Sequence, residues 1–161
     1  MKRRVVITGM GVVSPIGNTV AEVWDSVLHS RCGIGEITHF DATDFRAKLA
    51  GEVKNLDMEQ YFTKRDLKFN DRFTQFTRIA AKQAYENSGL AEAEFNRDRF
   101  GVIIGSGIGG IATIEGASQT IENRGPSRIS PYFIPMSLIN LAAGSAAIDM
   151  DAHGNVSSVV T

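Results

Sequence analysis

Apolar positions fall along this chain in two rhythms. Arg4 to Gly9, Phe100 to Gly105 and Val156 to Thr161 are short runs dense in β-branched residues, the content of strands that fit a pleated, buried surface. Between them apolar residues recur every three or four positions. Val20, Val23, Trp24, Val27 and Leu28 make one stripe of helical period. Thr19 and Glu22 have the spacing of a capping box at its start, and Gly33 is expected to end it. Asp71 can cap a second helix with a core face of Phe73, Phe76, Ala80 and Ala84, closed by Gly89. Ile111 to Asn123 predicts a third, broken by Gly125-Pro126. Ser130 to Pro135 predicts a stiff extended segment, because each proline fixes its φ and pushes the residue before it out of the helical region. Met136 to Met150, apolar and small, predicts a buried helix. On it Ala142, Ala143, Gly144, Ala146 and Ala147 let another backbone come close. Asp151 to Asn155 reads as a turn, Ser14 to Gly17 as a loop, and Gly35 to Met58 shows no regular pattern.

Strands near residues 4, 100 and 156 with helices between them predict an α/β fold with a parallel sheet. There is no short-period repeat or low-complexity linker. A length of 161 residues suits one domain, and 43% hydrophobic with 22% charged residues is the balance of a soluble globular protein. A net charge of −1 offers no global attraction for nucleic acid or an anionic membrane. Met1 to Arg4 is basic, but the VVITGMGVV that follows is interrupted by two glycines, so it reads as a first strand and not as a targeting peptide. A single cysteine excludes an internal disulfide and fits a reducing cytoplasm.

Gly105-Ser106-Gly107-Ile108-Gly109-Gly110 matches G-x-G-x-x-G between a strand and a helix. It is either a dinucleotide site or a tight strand-to-helix turn. A dinucleotide fold needs a next strand ending in an acidic residue about 20 positions on, where this chain has the loop Asn123 to Ser127. Lys64, Arg65, Lys68 and Arg72 form one basic cluster and Arg124 with Arg128 a second; each is either a solvated face or a docking surface for an acidic partner. Phe133 and Ile134 are core packing on composition alone. Asn140, polar in an apolar helix, calls for a backbone or turn partner. Cys32 and His29 are three residues apart at a helix end with no oxyanion hole, so they make a poor nucleophile pair. His29, His39 and His153 have no metal-ligand spacing.

Val5 to Gly17, the GSGIGG loop and the segment from Pro131 to Thr161, in this order and spacing, resemble the β-ketoacyl-acyl-carrier-protein synthases, the condensing enzymes of fatty-acid synthesis. The resemblance spans the whole chain. It implies a thiolase-like α/β fold in which residues 1–161 form an incomplete N-terminal domain. This would be the first part of the first α/β half, three strands of a mixed sheet plus helices, and under half of a full synthase. It implies chain elongation by decarboxylative Claisen condensation of an acyl-enzyme with malonyl-acyl-carrier protein. The catalytic Cys would lie two residues after Thr161 and a His pair further on. This chain would hold no catalytic residue, and alone it would be inactive and poorly folded. Gly107 and Ile108 would belong to the acyl pocket, Ile108 as the gate in the manner of the type II elongating synthases. Phe133 and Ile134 would reach across a dimer interface into the partner's acyl tunnel. Lys64, Arg65, Lys68, Arg124 and Arg128 would dock acyl carrier protein. No cofactor and no metal is implied. The partners would be acyl- and malonyl-loaded carrier protein and, in the complete enzyme, a second copy, with no nucleic acid and no membrane. The readings from other classes are a non-catalytic interaction module and a nucleotide-binding oxidoreductase domain.

Overall fold

The computed structural model describes residues 3–160, so Thr161, the end of the last expected strand, lies outside the described residues. The elements in order are α1 (Val20–Leu28), β1 (Ile34–Glu36), β2 (Leu49–Gly51), α2 (Lys64–Phe69), α3 (Arg72–Asn87), β3 (Val102–Gly105), α4 (Ile111–Arg124), α5 (Phe133–Ser137), α6 (Ile139–Asp149) and β4 (Val156–Val159). The core forms around α6. Its alanines Ala142, Ala143, Ala146 and Ala147 are buried, and their small side chains bring α3, β3 and β4 close to the helix axis. Val102, Ala143, Ala146, Ala147 and Met150 make the cluster, with Ala81, Tyr85, Phe100 and Ile104 packed on it. β3 and β4 pair in parallel, Val102 opposite Val156 and Gly105 opposite Val159, so the crossover between them carries α4, α5 and α6. Arg78 on α3 forks onto Asp149 at the end of α6, with Nε and Nη2 at 2.6 and 2.8 Å from its two oxygens. The expected α/β class holds. Among the described residues no helix is long and apolar enough to cross a membrane.

Four sequence expectations need correction. Arg4 to Gly9 forms no strand and joins no ladder among the described residues, so two of the three expected strands pair. The segment lies instead along α3, where Asn87 Oδ1 accepts from the Met10 N–H at 3.1 Å and Gln83 Oε1 from the Val12 N–H at 3.0 Å. A Cβ at Gly9 or Gly11 would run into the carbonyls of Ala84 and Ala80, so the glycines are what let this backbone approach the helix. Second, Phe133 to Ser137 is helical despite Pro135. The proline occupies the third helical position, where a backbone N–H has no intrahelical acceptor to lose. Third, the helix expected from Met136 to Met150 is broken at Leu138, whose ψ is 132°. The Ser137 carbonyl there accepts from the Gly110 N–H at 3.1 Å instead of continuing the helical ladder. Fourth, α1 stops at Leu28 and the chain turns through Ser30 at φ 52°, ahead of Gly33.

The exposed faces also differ from the pattern. Trp24, Val27 and Leu28, three of the five residues of the α1 stripe, are exposed, while Ser26 is buried and donates to the Ile16 carbonyl at 2.7 Å. On α3 the deepest side chain is Ile79, and Phe73 and Phe76 are half-buried. Asn140 sits exposed on α6, where water can satisfy it. The stretch read as irregular, Gly35 to Met58, holds β2 and all of β1 but Ile34, paired antiparallel with Gly35 opposite Ala50. Strands of three residues are too short to show a period of two.

Candidate functional site

β3 runs out into the glycine loop. Ser106 N–H donates to the Val159 carbonyl at 3.1 Å, which carries the ladder one residue past the strand. Gly109 then takes φ +84°, a conformation L side chains avoid, and its N–H donates to Ser106 Oγ at 3.2 Å. A Cβ at Gly109 would stand 2.7 Å from the Ser137 carbonyl, and one at Gly110 would run into that of Met136. The two glycines are therefore fitted to the junction of α5 and α6. This decides between the bare readings of the motif. A pyrophosphate needs free N–H groups at the helix N-terminus, yet Gly110 N–H is taken by Ser137 and Thr113 N–H by Asp71.

Gly107 and Ile108 form the crest of the loop and both are exposed, Ile108 by 62%. Ile111 and Ile114 continue an exposed apolar ridge along α4. Phe133 is half-buried and Ile134 exposed on α5, which packs against α4. The structure thus sets the four pocket candidates on adjoining elements, with the foot of the loop resting on the last turn of α5.

The basic candidates lie on two separate elements. Lys64, Arg65 and Lys68 are exposed on α2; Arg124 ends α4, and Arg128 belongs to the 3-10 turn Pro126–Arg128. One contact joins these regions. The Phe69 ring at the end of α2 packs against Tyr132, tilted by 34° with centroids 4.0 Å apart, and Tyr132 follows Arg128 by four residues and precedes Phe133. Neither ring stood out in the sequence, because an aromatic pair distant along the chain has no periodic signature.

Asp66, the acidic residue of α2, is turned away from its cations. Its carboxylate accepts from the Thr63 hydroxyl at 2.6 Å and the Thr63 N–H at 3.1 Å, and Arg78 lies 3.5 Å away. The Thr63 hydroxyl first, then the Thr63 N–H and Arg78, hold its pKa below the ordinary carboxylate value. Arg78 is in turn held above the usual guanidinium range by its bonds to Asp149. Lys64, Arg65 and Lys68 are left as the exposed charges of α2, with Asp66 half-buried. A cleft of about 310 Å³ lined by Tyr61, Arg78, Tyr85 and Asp149 contains none of the candidate residues. Cys32 is exposed elsewhere, and the His29 ring faces Asp25, with Nδ1 2.8 Å from its carbonyl and 3.1 Å from its carboxylate.

Asp71 does more than the cap expected of it. One oxygen accepts from the Phe73 N–H at 3.3 Å and so caps α3; the other accepts from the Thr113 N–H at 3.1 Å and the Thr113 hydroxyl at 2.5 Å. The Asp71 cap was legible in the sequence; its second partner, 42 residues away, was not.

Among known proteins, the family described as Beta-ketoacyl synthase, N-terminal domain, matches residues 2–161. The 3-oxoacyl-[acyl-carrier-protein] synthase 2 of Vibrio cholerae is 48% identical over 153 residues, which cover 95% of this chain and 37% of that protein. The solved ishigamide ketosynthase/chain length factor superposes with a TM-score of 0.81 at 24% identity, over 100% of this chain and 40% of its own. A type II PKS acyl-carrier protein in complex with its ketosynthase, bound to the hexaketide, gives a TM-score of 0.76 at 20% identity, over 94% of this chain and 40% of the matched one. The arrangement is that of the thiolase-like ketosynthases. The chain spans about two fifths of the length of these relatives.

Proposed function

The chain belongs to the β-ketoacyl synthase family, matching its N-terminal domain, and from that premise we propose that the full-length protein elongates fatty acyl chains held on acyl carrier protein. In this reading the acyl group passes from carrier thioester to an enzyme cysteine two residues beyond Thr161, releasing the carrier thiol. Malonyl carrier protein then loses carbon dioxide. The enolate so formed attacks the acyl thioester, and the cysteine leaves as thiolate. Residues of the present chain do the holding. Ile108, on a crest whose foot is fixed, gates the acyl pocket, and Phe133 and Ile134 supply its wall across a homodimer interface. Lys64, Arg65, Lys68, Arg124 and Arg128 receive the acidic carrier, and the reaction runs in the cytoplasm.

The observation that carries this reading is the α2–Tyr132 junction. It sets the exposed face of α2 that carries Lys64, Arg65 and Lys68 against the segment that leads directly into Phe133, so a docked carrier and an acyl wall share one structural support. The ketosynthase solved with its acyl-carrier protein supports the choice of partner. The test is turnover of acyl and malonyl carrier protein by the full-length protein, with release of carbon dioxide and a product longer by two carbons. Reversing Lys64, Arg65 and Lys68 to Glu should raise KM for the carrier about tenfold at low ionic strength, with the loss shrinking in high salt. Absence of condensation would overturn the activity. Unchanged KM at low salt would return α2 to a solvated face.

A further inference from the structure

The helix that follows the gating loop has no cap of its own. α4 begins after Gly110, which has no side chain to accept from the first-turn N–H groups. The acceptor comes instead from another helix. Asp71 Oδ2 receives the Thr113 N–H, at the third position of α4, which is the donor a local Ser or Asp cap would take. The same carboxylate caps its own helix through Oδ1 and Phe73. It is 7% exposed, lies against Gly110, and would stand 3.1 Å from a Cβ built there. One buried anion thus closes two helix N-termini, where both macrodipoles favour negative charge.

We propose that Asp71, through its clasp on Thr113, is the positioning residue that fixes the foot of the Ile108 loop and thereby sets which acyl chain lengths the gate admits. The inference rests on the reading of Ile108 as a gate. Gly110 is the pivot. Behind it the first turn of α4 is held by Asp71, and beneath it the Ser137 carbonyl takes its N–H. Ahead of it Ile108 and Gly107 stand exposed, two and three residues from the pivot, so their travel is measured from that fixed point. If the first turn of α4 loosens, Gly110 shifts and the Ile108 side chain no longer returns to one closed position. A gate that fails to close, or closes off register, changes discrimination between long and short acyl groups more than it changes the chemistry they share.

The chemistry of the clasp separates this role from plain stability. Asp71→Asn keeps a good N-cap for α3, but its single carbonyl oxygen cannot serve Phe73 and Thr113 together. Thr113→Val removes the hydroxyl half of the clasp and leaves the α3 cap untouched. Thr113→Ser restores it. In the full-length protein, kcat/KM is measured with acyl carrier donors of several lengths, and the ratio of long to short is compared, since a general loss of folded enzyme cancels in that ratio. Asp71→Asn and Thr113→Val should shift the ratio about fivefold to tenfold, the net scale of one lost intramolecular hydrogen bond, while Thr113→Ser stays near the parent. Ile108→Phe serves as the reference. If it moves the ratio while Asp71→Asn and Thr113→Val do not, or if these two slow every length equally, the proposal is overturned and the gate survives. If Ile108→Phe itself leaves the ratio flat, the gate reading falls and the proposal with it.

Discussion

Val5-Val6-Ile7-Thr8-Gly9 and Val102-Ile103-Ile104-Gly105 are nearly one sequence with two outcomes. The second is strand β3, parallel to β4, with Val102 at 6% exposure against the alanines of α6. The first is unpaired among the described residues, with Val5 and Ile7 at 92% and 85% exposure. β-Branched content marks a backbone that fits a pleated surface; whether it joins a ladder depends on an edge being offered. β3 finds β4. The N-terminal segment finds a helix, and α3 can offer it side-chain amides and a smooth stripe of Ala80 and Ala84, but no second strand.

The largest expected consequence is in hydrogen exchange of residues 1–161, where slow exchange in β3 would also overturn the expectation that this chain folds poorly alone. The Val102 and Ser106 amides, bonded to Asn155 and Val159, should exchange about a thousandfold more slowly than those of Val5 to Thr8, because their opening requires breaking the α6 core. Equal protection of the two stretches would break the comparison by putting Val5 to Thr8 in a ladder. The next effect is a matched pair of substitutions followed by chemical denaturation of the full-length protein. Ala143→Leu forces a branched side chain into a fully buried site between α6 and β3 and should cost about 1–3 kcal/mol. Gln83→Ala removes the acceptor for the Val12 N–H and should cost about 1 kcal/mol or less. A larger loss from Gln83→Ala than from Ala143→Leu would show that the N-terminal segment, not the alanine core, bears the fold.

The same contrast between local and distant signals sorts what the sequence disclosed. β3, β4, α3 and α4 were legible because each carries its own period and its own stop: Asp71 before α3, Gly89 after it, Gly125 at φ +82° after α4. Thr19 does cap α1, although the Glu22 carboxylate reaches back to the Asn18 N–H, one residue beyond the expected partner. The Met136 to Met150 run reads as a single helix, because nothing within it announces that Gly110 will take the Ser137 carbonyl. The candidate site divides likewise. Its loop could be read from glycines flanking one isoleucine. Its supports, Asp71 with Thr113 and Phe69 with Tyr132, join residues far apart in sequence and show only when the chain is folded. α2 was hidden for a different reason. Its basic residues drew a charge reading, while Thr63-Lys64-Arg65-Asp66 carries a capping-box spacing that marks a helix start.

α2 is the third case beside the paired and unpaired stretches, an element of six residues held largely by its own cap. Thr63 Oγ1 accepts from the Asp66 N–H at 3.2 Å, and the Asp66 carboxylate accepts in return from the Thr63 N–H at 3.1 Å. Such a device works only while the carboxylate is charged. The Thr63 hydroxyl, followed by the Thr63 N–H and Arg78, lowers the folded-state pKa of Asp66 below the ordinary value of 3.8. A group depressed in the folded state binds its proton more readily when unfolded. It therefore stabilises fully above the unfolded value, and that contribution is lost as pH falls through the folded one. The Tm gap between the parent and Asp66→Asn should be flat above about pH 5 and close progressively as the pH falls below about 4. Because Asp66 is partly solvated, the gap should be small and should shrink further in salt. Over the same range the Val102 and Ser106 amides should keep their protection relative to the rest of the chain, since no part of β3 or β4 depends on that cap. A gap that widens on acidification would mean that the Asp66 charge opposes folding, and α2 would then owe its helix to Phe69 and Tyr132 instead of to Thr63.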